Sequence, residues 1–186
     1  MNKTENNPPI LLIKGPRDSG KTSVCERIIK EFQKTRVKIT GIISKGLYQE
    51  GKKIAIEAIN LDDYSKKILA CYSPGWDRLN PQREWEFLEE ALVWGNEMLG
   101  RAVPTEILII DELGYLELEM NRGWSSAFKA LDSFKYRAAI VSIRPGLVSR
   151  FNYRYPFSTI FQISDQNSMN QVSCHIISAL KEIFVN

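Results

Sequence analysis

A parallel α/β sheet with helices on both faces is the fold this sequence predicts. Three observations carry it. Apolar runs of strand length recur along the chain, as at Ile10–Ile13, Ile107–Ile110 and Ala138–Ile143. Between them lie stretches with apolar residues at helical spacing, such as Val24, Ile28 and Phe32. A glycine-bounded loop, Gly15 to Thr22, joins the first run to the first helical stretch. Strands alternating with helices need crossover connections, and these place helices on both faces of a parallel sheet.

The stretch from Ile10 to Thr35 organises the rest. Gly15, Gly20, Lys21 and Thr22 match the spacing G-x-x-x-x-G-K-[ST] between a buried strand and a helix. The two glycines permit turns and a close approach that a Cβ would obstruct. Successive N–H groups then face a concave nest at the positive end of the helix, a natural phosphate site. Lys21 adds a point charge for the outer phosphates, and Thr22 offers a hydroxyl to Mg²⁺. The candidate nucleotide-binding set is Gly15, Pro16, Arg17, Asp18, Ser19, Gly20, Lys21, Thr22 and Ser23. Arg17 and Asp18 are read as positional, because the interior of such a loop contacts phosphate mainly through its backbone.

Val37–Ser44 reads as the second strand. KGLYQ and KIAIEAINL flank the hairpin signal Glu50-Gly51-Lys52, KKILACYS adds a strand, and Pro74-Gly75 closes this antiparallel insertion, about residues 45–75. Asn80-Pro81 is expected to open a helix reaching about Leu99, with Trp85, Leu88, Leu92 and Leu99 as its buried stripe. Trp85 and Trp94 are weighed as a base-stacking platform, but aromatics at helical spacing more often fill cores. Glu106–Glu112 is a strand buried on both faces that ends in Asp111 and Glu112. The rim of a parallel sheet is where such carboxylates can serve a ligand. A helix over 121–134 with Trp124, Phe128 and Leu131 inward comes next, then a strand over 138–143 and a short helix within 147–155. A strand over 158–163 and a closing helix over 168–184 complete the series. His175 lies beside the last apolar stripe and is read as structural.

With 186 residues, 44% hydrophobic and 25% charged, the chain reads as one domain over 1–186 with a frayed tail at 1–8. A net charge of +3 is too small to single out nucleic acid or a membrane as partner. Cys25, Cys71 and Cys174 are scattered without a C-x-x-C pair, which points to reduced thiols and a cytoplasmic setting. The single histidine rules out a His-rich zinc site. No apolar run has transmembrane length, and the opening MNKTENNPP lacks the apolar core of a signal peptide.

Phosphoryl transfer asks a protein mostly for positioning and charge. Thr22 and Asp111 are the candidate Mg²⁺ pair, directly or through water. Glu112 is the candidate base for a water attacking in line. Arg144, just past the fourth strand, is expected on the same rim to sense or stabilise the γ-phosphate. Arg150 and Arg154 follow it, with surface solubility as the competing account.

GPRDSGKTS, GIISKGLYQEGKKIAIEAINLD and IIDELGYLEL together resemble the P-loop nucleoside-triphosphatase family known from thermophiles, which includes a human cancer-related member. The resemblance covers most of the chain. It implies a three-layer fold around a five-stranded, mainly parallel sheet in RecA-like order, with the hairpin as a small insertion. It also implies Mg²⁺-dependent hydrolysis of several nucleoside triphosphates. It carries over to Gly15, Gly20, Lys21, Thr22, Asp111, Glu112, Gly114 and Glu117. Tyr115 and Leu116 stand where the family often has lysine and methionine, and Arg17-Asp18 where proline-glycine is commoner.

The sequence therefore reads as a hydrolase of ATP or GTP. Two rivals remain: a small-molecule or nucleotide kinase with Arg144–Arg154 as a lid, and a nucleotide-dependent binding module using the hairpin. Absence of Asn-Lys-x-Asp and Leu-Ser-Gly-Gly disfavours a dedicated GTPase switch and an ABC ATPase. FNYRYPF over 151–157 is weighed as a base-stacking segment, but basic and aromatic residues form no compact nucleic-acid patch. A homo-oligomer or protein partner is left open.

Overall fold

The first aliphatic run becomes β1 (Ile10–Lys14), whose alternate residues serve two cores. Ile10 and Leu12 pack with one cluster, Leu11 and Ile13 with another. The computed structural model describes residues 7–75 and 84–184. In chain order, β1 leads to α1 (Lys21–Phe32), β2 (Ile39–Gln49), β3 (Lys52–Asn60), β4 (Lys66–Tyr72) and β5 (Trp85–Phe87). Then come α2 (Glu89–Arg101), β6 (Ile107–Leu113), the single turn α3 (Tyr115–Leu118), α4 (Ser126–Asp132) and β7 (Ala138–Ile143). A 3₁₀ turn (Pro145–Leu147), α5 (Val148–Arg154), β8 (Thr159–Gln162) and α6 (Gln166–Phe184) finish the chain.

Among the described residues the sheet has eight strands in the order β5-β4-β3-β2-β6-β7-β1-β8. β2, β6, β7, β1 and β8 run parallel, and β3, β4 and β5 continue the sheet antiparallel from β2. Val24, Ile28 and Phe32 of α1 and Val172, Ile176 and Leu180 of α6 cover one face. Ala91 and Leu99 of α2, Ala127 and Leu131 of α4, and Phe151 of α5 cover the other. Helix, sheet and helix make three layers. Each fully buried aliphatic side chain contributes about 1.5–3 kcal/mol to holding them.

Several sequence expectations change in detail. The second strand does not stop at Ser44: it runs unbroken into the hairpin, turning at Glu50 and Gly51, both with positive φ (49° and 76°). That left-handed pair matches the twist of the flanking strands. The hairpin strands thus widen the same sheet.

The helix expected from Asn80 begins at Glu89 instead, and its expected start lies outside the described residues. Trp85 is on β5, not on a helix, because Trp85–Phe87 pairs with Ala70–Tyr72 on the open edge of β4. Within 121–134 only Ser126–Asp132 is helical. Asn121 and Gly123 adopt positive φ, which interrupts the helix ahead of Trp124. Trp124 and Leu131 are buried as expected and Phe128 is half-buried. His175 is exposed on α6.

Gly41, inside β2, has φ +113°, and a Cβ there would collide with the backbone carbonyl of Ile109 on β6. Gly41→Ala combines a strained φ with a backbone overlap. We expect it to lower unfolding free energy by about 1–3 kcal/mol, read by urea titration.

Candidate active site

Parallel strands put their C-terminal ends on one rim, and three such ends meet here. β1 ends in the Gly15–Thr22 loop, β6 carries Asp111 and Glu112, and β7 is followed by Arg144. The loop keeps its shape through Gly20, whose φ of 93° suits glycine and whose Cβ would collide with Met169 Sδ on α6. Asp18 also has positive φ, 57°. Gly15 N–H donates to the Ile143 carbonyl at 3.2 Å, tying the loop to the end of β7.

Lys21 is the first residue of α1 and only 5% exposed. Its Nζ donates to the Gly15 carbonyl at 3.1 Å and the Pro16 carbonyl at 2.8 Å. Burial pushes its pKa below that of an ordinary lysine, while the carboxylates of Glu112 and Asp111 pull it back up. Thr22 Oγ1 donates to Asp111 Oδ2 at 2.7 Å, so the phosphate loop and the acidic strand touch directly.

Asp111 is fully buried. Its Oδ1 accepts from Ser142 Oγ at 2.6 Å, and its Oδ2 also accepts from Ser44 N–H at 3.1 Å. Burial raises its pKa, and the bonds from Ser142 and Thr22 oppose that rise. The register between β6 and β7 slips between Ile110 and Leu113, so the two carboxylates sit on a bulge. Bulges re-aim side chains. Glu112 accordingly has φ 68°, and its N–H donates to Ser142 Oγ at 2.8 Å.

The Glu112 carboxylate turns into the cleft, where Oε1 accepts from Arg144 Nε at 3.1 Å and Nη2 at 2.9 Å. Arg144 was expected near a terminal phosphate; it is on that rim, but bonded to the candidate base. Arg150 pairs with Glu119 and Arg154 with Asp132, which leaves them as surface ion pairs on and beside α5.

Ser19 and Ser23 line the same cleft. Ser19 Oγ is buried without a hydrogen-bond partner among the described residues. Asp18 pairs with Lys53 of β3 at 3.1 Å, and the Arg17 guanidinium lies 5.0 Å from the Trp85 ring centre, so both loop-tip residues reach the antiparallel strands. Pro16 is exposed at the loop's tip and contributes its carbonyl to Lys21. Glu117 accepts from Gly114 N–H at 2.8 Å and Trp124 N–H at 2.9 Å and so folds the segment after β6. Burial lifts its pKa, against those two bonds.

Ser44 and Ser142, which hold Asp111, were not singled out from the sequence. Only Ser142 carried a signal, as the one polar residue of the strand AAIVSI; Ser44 sits in a strand that also holds Thr40 and Lys45. Thr22 and Asp111 form an oxygen-only donor set next to the phosphate nest, which suits a hard dication such as Mg²⁺. Asp111 already accepts three protein hydrogen bonds, so the hydroxyl of Thr22 is the freer ligand. Among the described residues no group of three or more His, Cys, Asp or Glu could hold a metal unaided, so triphosphate and water would complete its shell. Nor is any described helix long and apolar enough to cross a membrane.

A family model described as NTPase matches residues 10–177. The nucleoside-triphosphatase THEP1 of Methanocaldococcus jannaschii is 24% identical over 172 residues, 92% of this chain and 99% of that protein. Among solved structures, a human cancer-related nucleoside triphosphatase superposes with a TM-score of 0.72 at 16% identity, covering 94% of this chain and 98% of that one. THEP1 from the hyperthermophile Aquifex aeolicus gives a TM-score of 0.64 at 16% identity, with 92% and 99% covered. These two structures share the fold.

Proposed function

The chain belongs to the NTPase family, and from that premise we propose that it hydrolyses ATP or GTP with Mg²⁺ at the rim where the Gly15–Thr22 loop meets Asp111 and Glu112. The 2.7 Å bond from Thr22 to Asp111 carries this reading, because it joins the anion nest to the acidic strand within one site. The parallel run β2-β6-β7-β1-β8 sets β7 between the loop strand and the acidic strand, which supports reading it as the five-stranded RecA-like order.

In this proposal the loop amides and Lys21 hold the β and γ phosphates, with Lys21 exchanging two carbonyls for phosphate oxygens. Thr22 would hold Mg²⁺, with Asp111 fixing the Thr22 hydroxyl; the ion would supply charge that neutralises the phosphates. Glu112 orients a water and takes its proton. Arg144 leaves Glu112 for the γ-phosphate when nucleotide arrives, which both frees the base and adds positive charge to the transition state.

A phosphate-release panel across ATP, GTP, CTP and UTP, with and without Mg²⁺ and with Lys21→Ala as blank, tests the reading. Mg²⁺-dependent release that the blank lacks supports it. Release that survives a chelator, or stays within threefold of wild type in the blank, overturns it. Arg144→Ala is expected to lower kcat about 10²-fold. A kcat that stays level or rises would confine Arg144 to restraining Glu112.

A further inference from the structure

Resting on the hydrolase reading, we propose that the far half of the cleft binds an aromatic or heteroaromatic alcohol, and that the enzyme transfers the terminal phosphoryl group to its hydroxyl as well as to water. The cleft measures about 1360 Å³. A site for one small ligand occupies roughly 300–1,000 Å³, so this one has room for a second molecule beside the nucleotide.

The far half is the wrong lining for phosphate or water. Ile56, Leu69, Phe87, Leu92, Val93 and Trp124 wall it. Phe87 and Val93 keep 39% and 50% of their surface exposed there. Apolar side chains gathered around a cavity and left uncovered mark a ligand or partner site. Aromatic walls favour a planar ring, which stacks or packs edge-on against them. The Trp85 indole N–H, on the same cleft, is buried without a partner among the described residues. Such a group costs about 1–3 kcal/mol, and a ring heteroatom or oxygen on the ligand would satisfy it.

Position makes the basin an acceptor site. In the sheet the phosphate loop follows β1, whereas β3, β4 and β5 lie beyond β2 on the other side of β6. Glu112, near the end of β6 and with Arg144 bonded to it, lines the same cleft as the phosphate loop and the apolar wall. A hydroxyl entering from the basin meets the terminal phosphoryl group beside that carboxylate. Its oxygen bonds to Pγ while the bond from Pγ to the β,γ-bridging oxygen breaks. The hydroxyl proton passes to Glu112 and then to solvent. The products are a phosphate monoester and a nucleoside diphosphate.

The test incubates the whole protein with γ-labelled ATP and Mg²⁺ in the presence of 2-phenylethanol, tryptophol or adenosine, with glycerol as a hydroxyl lacking a ring. Labelled ester is separated from inorganic phosphate. We expect ester from at least one ring-bearing alcohol and none from glycerol. Val93→Trp, which fills the basin from an exposed helix position, should lower the ester-to-phosphate ratio about tenfold or more. Phe87→Ala, on an edge strand, should lower it in the same direction. Inorganic phosphate without ester from any ring-bearing alcohol overturns this inference and leaves the hydrolase reading standing. Equal ester from glycerol, or a ratio indifferent to both variants, also overturns it. Neither ester nor inorganic phosphate would remove the hydrolase reading itself.

Discussion

Lys21→Ala is expected to lower kcat for nucleoside triphosphate hydrolysis by about 10²–10³-fold, the usual loss when one electrostatic donor to a transition state is removed. Lys21 occupies a site that disfavours charge: it is 5% exposed, and burial depresses its pKa. Two loop carbonyls and the neighbouring carboxylates of Glu112 and Asp111 are what compensate. On the proposed reading, an incoming triphosphate would supply stronger acceptors in the same place, so the side chain would need little reorganisation to serve it. Arginine should not rescue the loss, because its planar fork does not match a pocket shaped around a point charge. Steady-state phosphate release with Mg²⁺ and saturating ATP checks both variants. A kcat within threefold of wild type, about 0.65 kcal/mol of barrier, would remove Lys21 from the transition state.

Glu112→Gln should lower kcat by about 10²–10⁴-fold with little change in KM, since it removes a proton acceptor and keeps the shape. The residue's setting argues for such a role. Its φ of 68° is unfavourable for a side chain of this size, and holding it costs on the order of 1–3 kcal/mol. The bond from its N–H to Ser142 Oγ fixes that geometry, and Ser142 Oγ in turn donates to Asp111. One serine thus sets both carboxylates. Unchanged release in the glutamine variant would take the base role from Glu112. A raised KM with unchanged kcat would make it a binding residue only.

The rim was legible because its parts obey fixed spacings. Gly15, Gly20, Lys21 and Thr22 mark a glycine-bounded turn from strand to helix, and IIDE marks a buried strand that ends in two carboxylates. What joins them was harder to read, because Ser44 and Ser142 act across the sheet, 67 and 31 residues from Asp111 in sequence. Only strand order makes them neighbours. Trp85 misled for a different reason. Its spacing to Leu88 and Leu92 fits a helix, yet the open edge of β4 captured it as a strand. That edge pairing brings it to the phosphate loop, under Arg17. Arg144 was placed on the correct rim, but a carboxylate competing for its guanidinium is invisible to any reading of strand ends.

The uninterrupted course of β2 has a bearing on engineering. Residues 39–42 pair with β6 and residues 42–49 with β3, and Ser44, two residues past the changeover, pairs with Ala58. The hairpin strands consequently cannot be excised as a cassette or grafted onto another protein intact. Trimming them would unzip β2 along its outer side and loosen the serine that seats Asp111, so a shortened chain would have to rebuild that border before its acidic strand could work.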